Sequence, residues 1–197
     1  RYVIFSSTAA VYGNPQYIPM DEEHPTKPSN FYGYTKLAIE ELLGWYAQLK
    51  GLRFASLRYF NAAGYDIDGK IKGLESEPNN LLPIVMEAVI SKRPFVEVFG
   101  TDYDTPDGSC IRDYIHVNDL ADGHVRALEY LTRETYNPIL NLGTSNGMSV
   151  LEILEHTKNL SHTYFDVRFG SRRPGDPAIV LAKATKAKSL LGWEAKR

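Results

Sequence analysis

A strand, a helix and a second strand fill the first 59 residues, and that order constrains the fold more than anything else in the chain. Residues 2–5 are a short apolar run of β character that ends in the hydroxyl cluster Ser6, Ser7 and Thr8. Residues 14–30 are rich in proline and charge and read as loop. Residues 31–50 carry apolar side chains at helical spacing, and Leu37, Leu43, Tyr46 and Leu49 are expected to share a face. Gly51 stands where a helix C-cap is expected, and residues 54–59 read as a second buried strand. Strand, helix, strand predicts parallel βα units.

Further along, 66–80 reads as a polar loop or lid, 81–91 as a short helix, 96–99 as a strand and 102–109 as an acidic loop. Asn118 or Asp119 is expected to cap a helix running to about Leu131. Residues 139–142 read as a strand, and Ser149 with Glu152 forms a capping box for a helix ending near Leu160. An alternating edge strand at 165–169 and a last helix at 183–191, stopped by Gly192, complete the pattern. There is no internal repeat. The first residue is Arg1, already within a strand-like run, so the chain is expected to be a piece of a longer one.

Composition excludes several classes. The 197 residues are 43% apolar and 23% charged, which suits a globular enzyme. The net charge is -2 with no basic block, so neither nucleic acid nor an acidic membrane is an expected partner. The apolar runs are too short to span a bilayer. Cys110 is the one cysteine of the sequence, so no disulfide can form within the chain, as suits a protein of the cytoplasm.

The chemistry concentrates in Tyr32-Gly33-Tyr34-Thr35-Lys36. Tyr32 and Lys36 are one helical turn apart on one face. A free phenol, with a pKa of about 10, is a poor base at neutral pH, and a neighbouring ammonium favours the phenolate. The pair thereby becomes a general base for a sugar hydroxyl. Taken alone, the same spacing is more often an ordinary amphipathic pair. Thr8, at the carboxyl end of a parallel strand, is where ligands sit in such sheets, and it offers a second hydrogen-bond partner. The bland alternative for Thr8 is a turn that ends the strand. His116 and His124 lack metal-ligand spacing and are expected to pack or cap a helix, and no metal site is expected. Nothing around Cys110 makes it a clear nucleophile.

The hydroxyl-rich strand end, the Y-x-x-x-K helix and Leu57-Arg58-Tyr59-Phe60-Asn61 resemble the extended short-chain dehydrogenase/reductase family. Within it, Pro78-Asn79-Asn80-Leu81, Phe99-Gly100-Thr101-Asp102-Tyr103, Arg112-Asp113-Tyr114-Ile115-His116-Val117 and Arg172-Arg173-Pro174-Gly175-Asp176 resemble the UDP-hexose 4-epimerases. The resemblance implies a Rossmann-type doubly wound parallel sheet lacking its N-terminal part, with a smaller C-terminal α/β substrate domain. Residues 1–62 would belong to the NAD-binding domain, and 63–197 mainly to the nucleotide-sugar domain, with about 110–145 returning to the first. It implies NAD as cofactor, a UDP-sugar substrate and a homodimer built through the helix at 31–50.

Residue by residue, the resemblance makes Tyr32 the base, Lys36 the cation that activates it and binds the nicotinamide ribose, and Thr8 the partner of the sugar O4. Phe60 falls at a cofactor-contacting position, and Thr8, Tyr32 and Lys36 are expected to touch the cofactor as well. Asn61, Asn80, Leu81, Phe99, Arg112, Arg173 and Asp176 fall at positions that hold the nucleotide sugar. Guanidinium forks suit a diphosphate, and the Phe99 ring suits stacking on uracil. Arginines beside Pro-Gly, such as Arg172 and Arg173, are otherwise a solvated surface pair. Val180 stands where a bulky aromatic often gates the sugar. The related 4,6-dehydratases carry an Asp-Glu pair after the strand-end hydroxyl, whereas Ala9 and Ala10 follow Thr8 here. A uronate epimerase or decarboxylase, or a non-catalytic fragment that binds UDP-sugars, are the alternatives.

Overall fold

A computed structural model describes residues 1–71 and 77–197. Part of the expected loop at 66–80 therefore lies outside the described residues. In chain order the elements are β1 (Tyr2–Thr8), a single 3-10 turn (Ala9–Val11), α1 (Phe31–Lys50), β2 (Arg53–Tyr59), β3 (Asn61–Ala63), α2 (Leu81–Val89), β4 (Phe95–Phe99), β5 (Ile111–His116), α3 (Val117–Arg133), β6 (Ile139–Leu142), β7 (Gly147–Ser149), α4 (Val150–Ser161), β8 (Asp166–Gly170), β9 (Ile179–Val180) and α5 (Thr185–Leu191). Every expected helix and strand is present. The very short β3, β7 and β9, and β5, are additions.

β1, β2 and β6 form one all-parallel sheet with β2 in the middle. Neighbouring residues of β1 reach opposite faces, as strand geometry requires. Ser6 meets His124 of α3, and Ser7 meets Glu40 of α1, so helices cover both faces. Buried on both sides, β2 contributes Ala55 and Leu57 to a core with Leu120, Ala127, Leu131, Leu140, Leu142 and Trp193. A second core lies where β4 and β8 pair in parallel and α2 and α4 pack: Val85, Ala88, Val96, Val98, Leu154 and Phe165.

β5 joins the two regions. It pairs with β3 near its end, and with β7 and β9 near its start. Its fully buried Asp113 accepts from Thr144 N–H and Oγ1–H, both at 2.8 Å, from Ser145 N–H at 3.0 Å and from Ala182 N–H at 3.2 Å. That carboxylate fixes the loop after β6 and the segment after β9 against β5.

The Ser149–Glu152 capping box forms as expected, and Gly51 and Gly192 take the left-handed C-cap conformation. The α3 cap differs from the expectation. Nδ1 of His116 accepts Asn118 N–H at 3.2 Å, while Asp119 accepts from the backbone of Lys196 and Arg197, both at 2.9 Å. No helix among the described residues is long and apolar enough to cross a membrane.

The expected apolar face of α1 does not exist as one stripe. Leu37 and Leu43 are half-buried, while Tyr46 and Leu49 are exposed. The inward face carries Gly33, Leu37 and Glu40, and the outward face carries Tyr34, Leu42, Trp45 and Leu49. A glycine stands on the inward face at the helix start because the helix there lies directly on backbone. A Cβ on Gly33 would stand 2.3 Å from the Ala10 carbonyl oxygen, whereas one on Gly44 would meet nothing within 4 Å. Gly33→Ala should therefore lower stability by about 1–3 kcal/mol. Gly44→Ala should raise it by about 0.5–1 kcal/mol through helix propensity. Urea unfolding of the two variants checks the contrast.

Candidate active site

The carboxyl end of β1 meets the start of α1, and local chemistry holds the two together. Asn30 caps α1, its Oδ1 accepting Gly33 N–H at 2.8 Å, so the first turn that carries Tyr32 is fixed. Tyr32 is 56% exposed and shares a small cleft with Thr8. One turn on, the Lys36 ammonium donates to the Ser6 carbonyl at 3.0 Å and lies 5.7 Å from the centre of the Tyr32 ring. Thr8 does make the strand-ending turn. Its Oγ1 accepts Ala10 N–H at 3.2 Å and caps the 3-10 turn. That leaves the hydroxyl proton to be donated elsewhere.

The smaller cleft, about 370 Å³, is lined by Thr8, Tyr32, Tyr59, Phe60, Asn61, Asn80 and Leu81 among others. A larger one, about 810 Å³, is lined by Phe99, Arg112, Arg173 and Asp176. Asn61, Asn80, Leu81 and Tyr114 line both, so the two are lobes of one groove. Asn80 is the N-cap of α2 yet makes no side-chain cap bond, so its amide is not committed to its own helix. Of the eleven expected site residues, only Lys36 lines neither lobe.

Charge collects in the larger lobe. Arg112 donates to the Ile111 carbonyl at 2.9 Å and stands 3.7 Å from the Asp176 carboxylate. The Arg173 guanidinium lies over the Phe99 ring at 4.0 Å, so one face of the ring expected to stack a base is covered by an arginine. Arg172 pairs instead with Asp102 at 2.7 Å and lies over Tyr103 at 4.3 Å. The two arginines are thus not an equivalent solvated pair. Val180, at the position where a bulky aromatic often gates the sugar, lines neither lobe. It packs with Phe60 against Val11, Tyr12 and Met20.

Several lining residues went unanticipated as site residues: Tyr59, Tyr114, Cys110, and the Glu87, Lys92 and Arg93 cluster. β5 alternates, with Asp113 and Ile115 fully buried and Arg112 and Tyr114 facing the groove. That period of two is readable in the sequence. Glu87 is bonded by Lys92 at 2.5 Å and by Arg93 at 3.0 Å, which holds its carboxyl below the usual range. Burial pushes the Tyr114 phenol up. Burial also pushes the Cys110 thiol up, against the opposing pull of Arg112.

Residues 1–143 match the model of the NAD dependent epimerase/dehydratase family. A UDP-glucose 4-epimerase of Halalkalibacterium halodurans is 46% identical over 196 residues, spanning 100% of this chain and 59% of the relative. That of Bacillus subtilis is 45% identical over 199 residues, again 100% and 59%. Among solved structures, UDP-glucose 4-epimerase from Brucella ovis in complex with NAD superposes with a TM-score of 0.96 at 43% identity, covering 100% of this chain and 60% of that one. The Bifidobacterium longum enzyme in complex with NAD+ and UDP gives 0.89 at 39%, covering 100% and 59%. The chain thus spans about three fifths of the length of these relatives.

The raised thiol predicts how Cys110 reacts. Only the thiolate is a strong nucleophile, so alkylation by iodoacetamide should be slower at pH 7 than in the unfolded chain, should climb about tenfold per pH unit as the pH rises towards the thiol pKa, and should level off at a higher pH than in the unfolded chain. Peptide mass spectrometry of timed samples checks this. A pH 7 rate equal to that of the unfolded chain would contradict it.

Proposed function

The chain belongs to the NAD-dependent epimerase/dehydratase family, and we propose that the protein carrying it inverts C4 of a UDP-hexose, interconverting UDP-glucose and UDP-galactose. One observation carries this reading: Thr8 and Tyr32 open onto the same groove as Arg112, Arg173 and Asp176, joined through Asn61, Asn80 and Leu81. A proton-transfer end and a diphosphate-recognising end on one groove suit a sugar joined to a nucleotide diphosphate.

Each residue has a role in this reading. Tyr32 takes the O4 proton, and Thr8 donates its free hydroxyl proton to the same oxygen. Arg112 and Arg173 neutralise the diphosphate, aided by the N-terminus of α2 that begins at Leu81. Asp176 accepts from ribose hydroxyls, Asn61 and Asn80 hold ribose and base edges, and Phe99 offers its remaining face to uracil. The chemistry that bound NAD would supply is reversible hydride transfer at C4. Lys36 and Phe60, with Thr8 and Tyr32, are the residues of this chain that would hold its nicotinamide end. Lys36 fits that task, because an ammonium has three protons and one is used on the Ser6 carbonyl. Residues 1–62, with about 110–145, form the cofactor side, and the remainder forms the nucleotide-sugar side.

Dehydration is disfavoured locally. The residues after Thr8 are Ala9 and Ala10, and the Ala10 carbonyl is packed against Gly33, so no acid or base follows the strand. A cytoplasmic homodimer completes the reading. Trp45 and Leu49 of α1 are 62% and 71% exposed, and Leu42 and Tyr34 lie beside them, so a second copy of this helix is a suitable cover.

In full-length protein, UDP-galactose should yield UDP-glucose without added NAD. Tyr32→Phe should lower turnover by about 10²–10⁴-fold while UDP affinity stays within about twofold. Full turnover in that variant would exclude the assignment. Sedimentation should show a dimer at micromolar concentration, and Trp45→Glu should shift it towards monomer.

A further inference from the structure

Beneath the proposed catalytic pair lies a polar cluster that the reaction itself does not use. Tyr32, Lys36 and Glu40 occupy successive turns of α1, four residues apart. Glu40 is 4% exposed. It accepts from Ser7 Oγ at 2.5 Å and from Arg58 through Nε at 3.0 Å and through NH2 at 2.5 Å. Ser7 and Arg58 are direct partners in the parallel β1–β2 register, and both are buried. The Arg58 guanidinium also lies 4.9 Å over the ring of Tyr12. Tyr12 directly follows the 3-10 turn that Thr8 caps, and its hydroxyl donates to Asn141 Oδ1 at 2.6 Å.

Resting on the epimerase reading above, we infer that Glu40 is a positioning residue: with Ser7 and Arg58 it sets the placement of Tyr32 and Lys36 relative to Thr8. Two consecutive turns of α1 engage two consecutive residues of β1. Lys36 rests on the Ser6 carbonyl, and Glu40 holds the Ser7 side chain. Thr8 is the next residue, and Arg58 with Tyr12 pins the chain on its far side. Apolar side chains at these three positions would fill the space without dictating a direction. A buried carboxylate that must accept from both strands allows only one axial and one rotational setting of the helix. Proton transfer is sensitive to such settings, since a misplacement of about 1 Å can cost about a hundredfold in rate.

The test uses full-length, NAD-loaded protein and two variants. Ser7→Ala removes only the hydroxyl and leaves the ion pair. The double variant Glu40→Leu/Arg58→Met replaces the pair with apolar volume, a change that often preserves stability. In both, kcat should fall about tenfold or more, while KM for UDP-galactose and affinity for UDP stay within about twofold. The unfolding midpoint of Ser7→Ala should stay near that of the parent, and a crystal structure of it should show Lys36 displaced from the Ser6 carbonyl. A folded Ser7→Ala protein with parental kcat, or one whose α1 and Lys36 have not moved, would overturn the inference. So would a stable double variant at parental kcat. If the double variant does not fold, Ser7→Ala decides alone. Tyr32→Phe in the same assay separates the two levels. Turnover surviving there removes the epimerase reading, whereas loss there with full activity in Ser7→Ala removes only the positioning role.

Discussion

Glu40 and Arg58 meet in a space with almost no solvent, and the first βα unit is assembled around them. Two isolated charges in such a place would cost several kcal/mol each in lost hydration. They are tolerated because the carboxylate is filled from two strands at once and the guanidinium is shared between Glu40 and the Tyr12 ring. Burial opposes the charge on Arg58, and the bond to Glu40 together with the pull of Glu40 and Tyr12 outweighs it, raising its pKa. Burial alone dominates at Tyr12, pushing its phenol up to about 12, so it stays neutral and donates to Asn141. Arg58 therefore stays charged and Tyr12 neutral across the working pH range.

This cluster explains the unusual division of α1. With charge and glycine on its inner face, the helix docks through hydrogen bonds and close backbone contact and not through an apolar stripe. The inward glycine allows the helix start to touch the Ala10 carbonyl, and the outward side is left rich in aromatic and aliphatic groups. The site gains from the arrangement. Tyr32 sits on a turn of the helix held between the Asn30 cap and the Lys36 contact, while its own ring remains open to the groove.

Much of this was legible in the sequence, and the failures have physical causes. The helix at 31–50 and its Gly51 cap, the parallel strands on either side and the Ser149–Glu152 box all follow from local signals that the tertiary structure does not override. Strands of two or three residues such as β9 and β3 have no period to detect, and they exist because β5 offers them an edge. The α1 face departs from an apolar stripe because a buried ion pair contributes to its docking. His116 was expected to pack or cap, and it does cap α3, displacing the more usual Asn118 and Asp119. Asp119 instead turns its carboxylate to Lys196 and Arg197, distant partners that no local pattern announces. Of the candidate site residues, ten fall on one groove. The arrangement of Arg173 over Phe99 and the packing of Val180 with Phe60 against Val11, Tyr12 and Met20 depend on tertiary contacts that spacing cannot encode.

The hydrogen bond at Thr8 separates the labour of the two hydroxyls in the proposed reaction. Thr8 Oγ1 already accepts the Ala10 N–H, which fixes its direction at the strand end and leaves its proton as the group to offer. An aliphatic hydroxyl is in any case far too weak an acid to serve as a base at neutral pH. Thr8 can therefore align and polarise a substrate oxygen but cannot carry its proton away. Proton acceptance must fall to the other side chain at that end of the groove, and Tyr32 is the titratable group there that stands beside an ammonium. The same reasoning explains why alanines suffice at positions 9 and 10. Once donor and acceptor are divided between β1 and α1, the turn joining them has only to be small enough for Gly33 to approach.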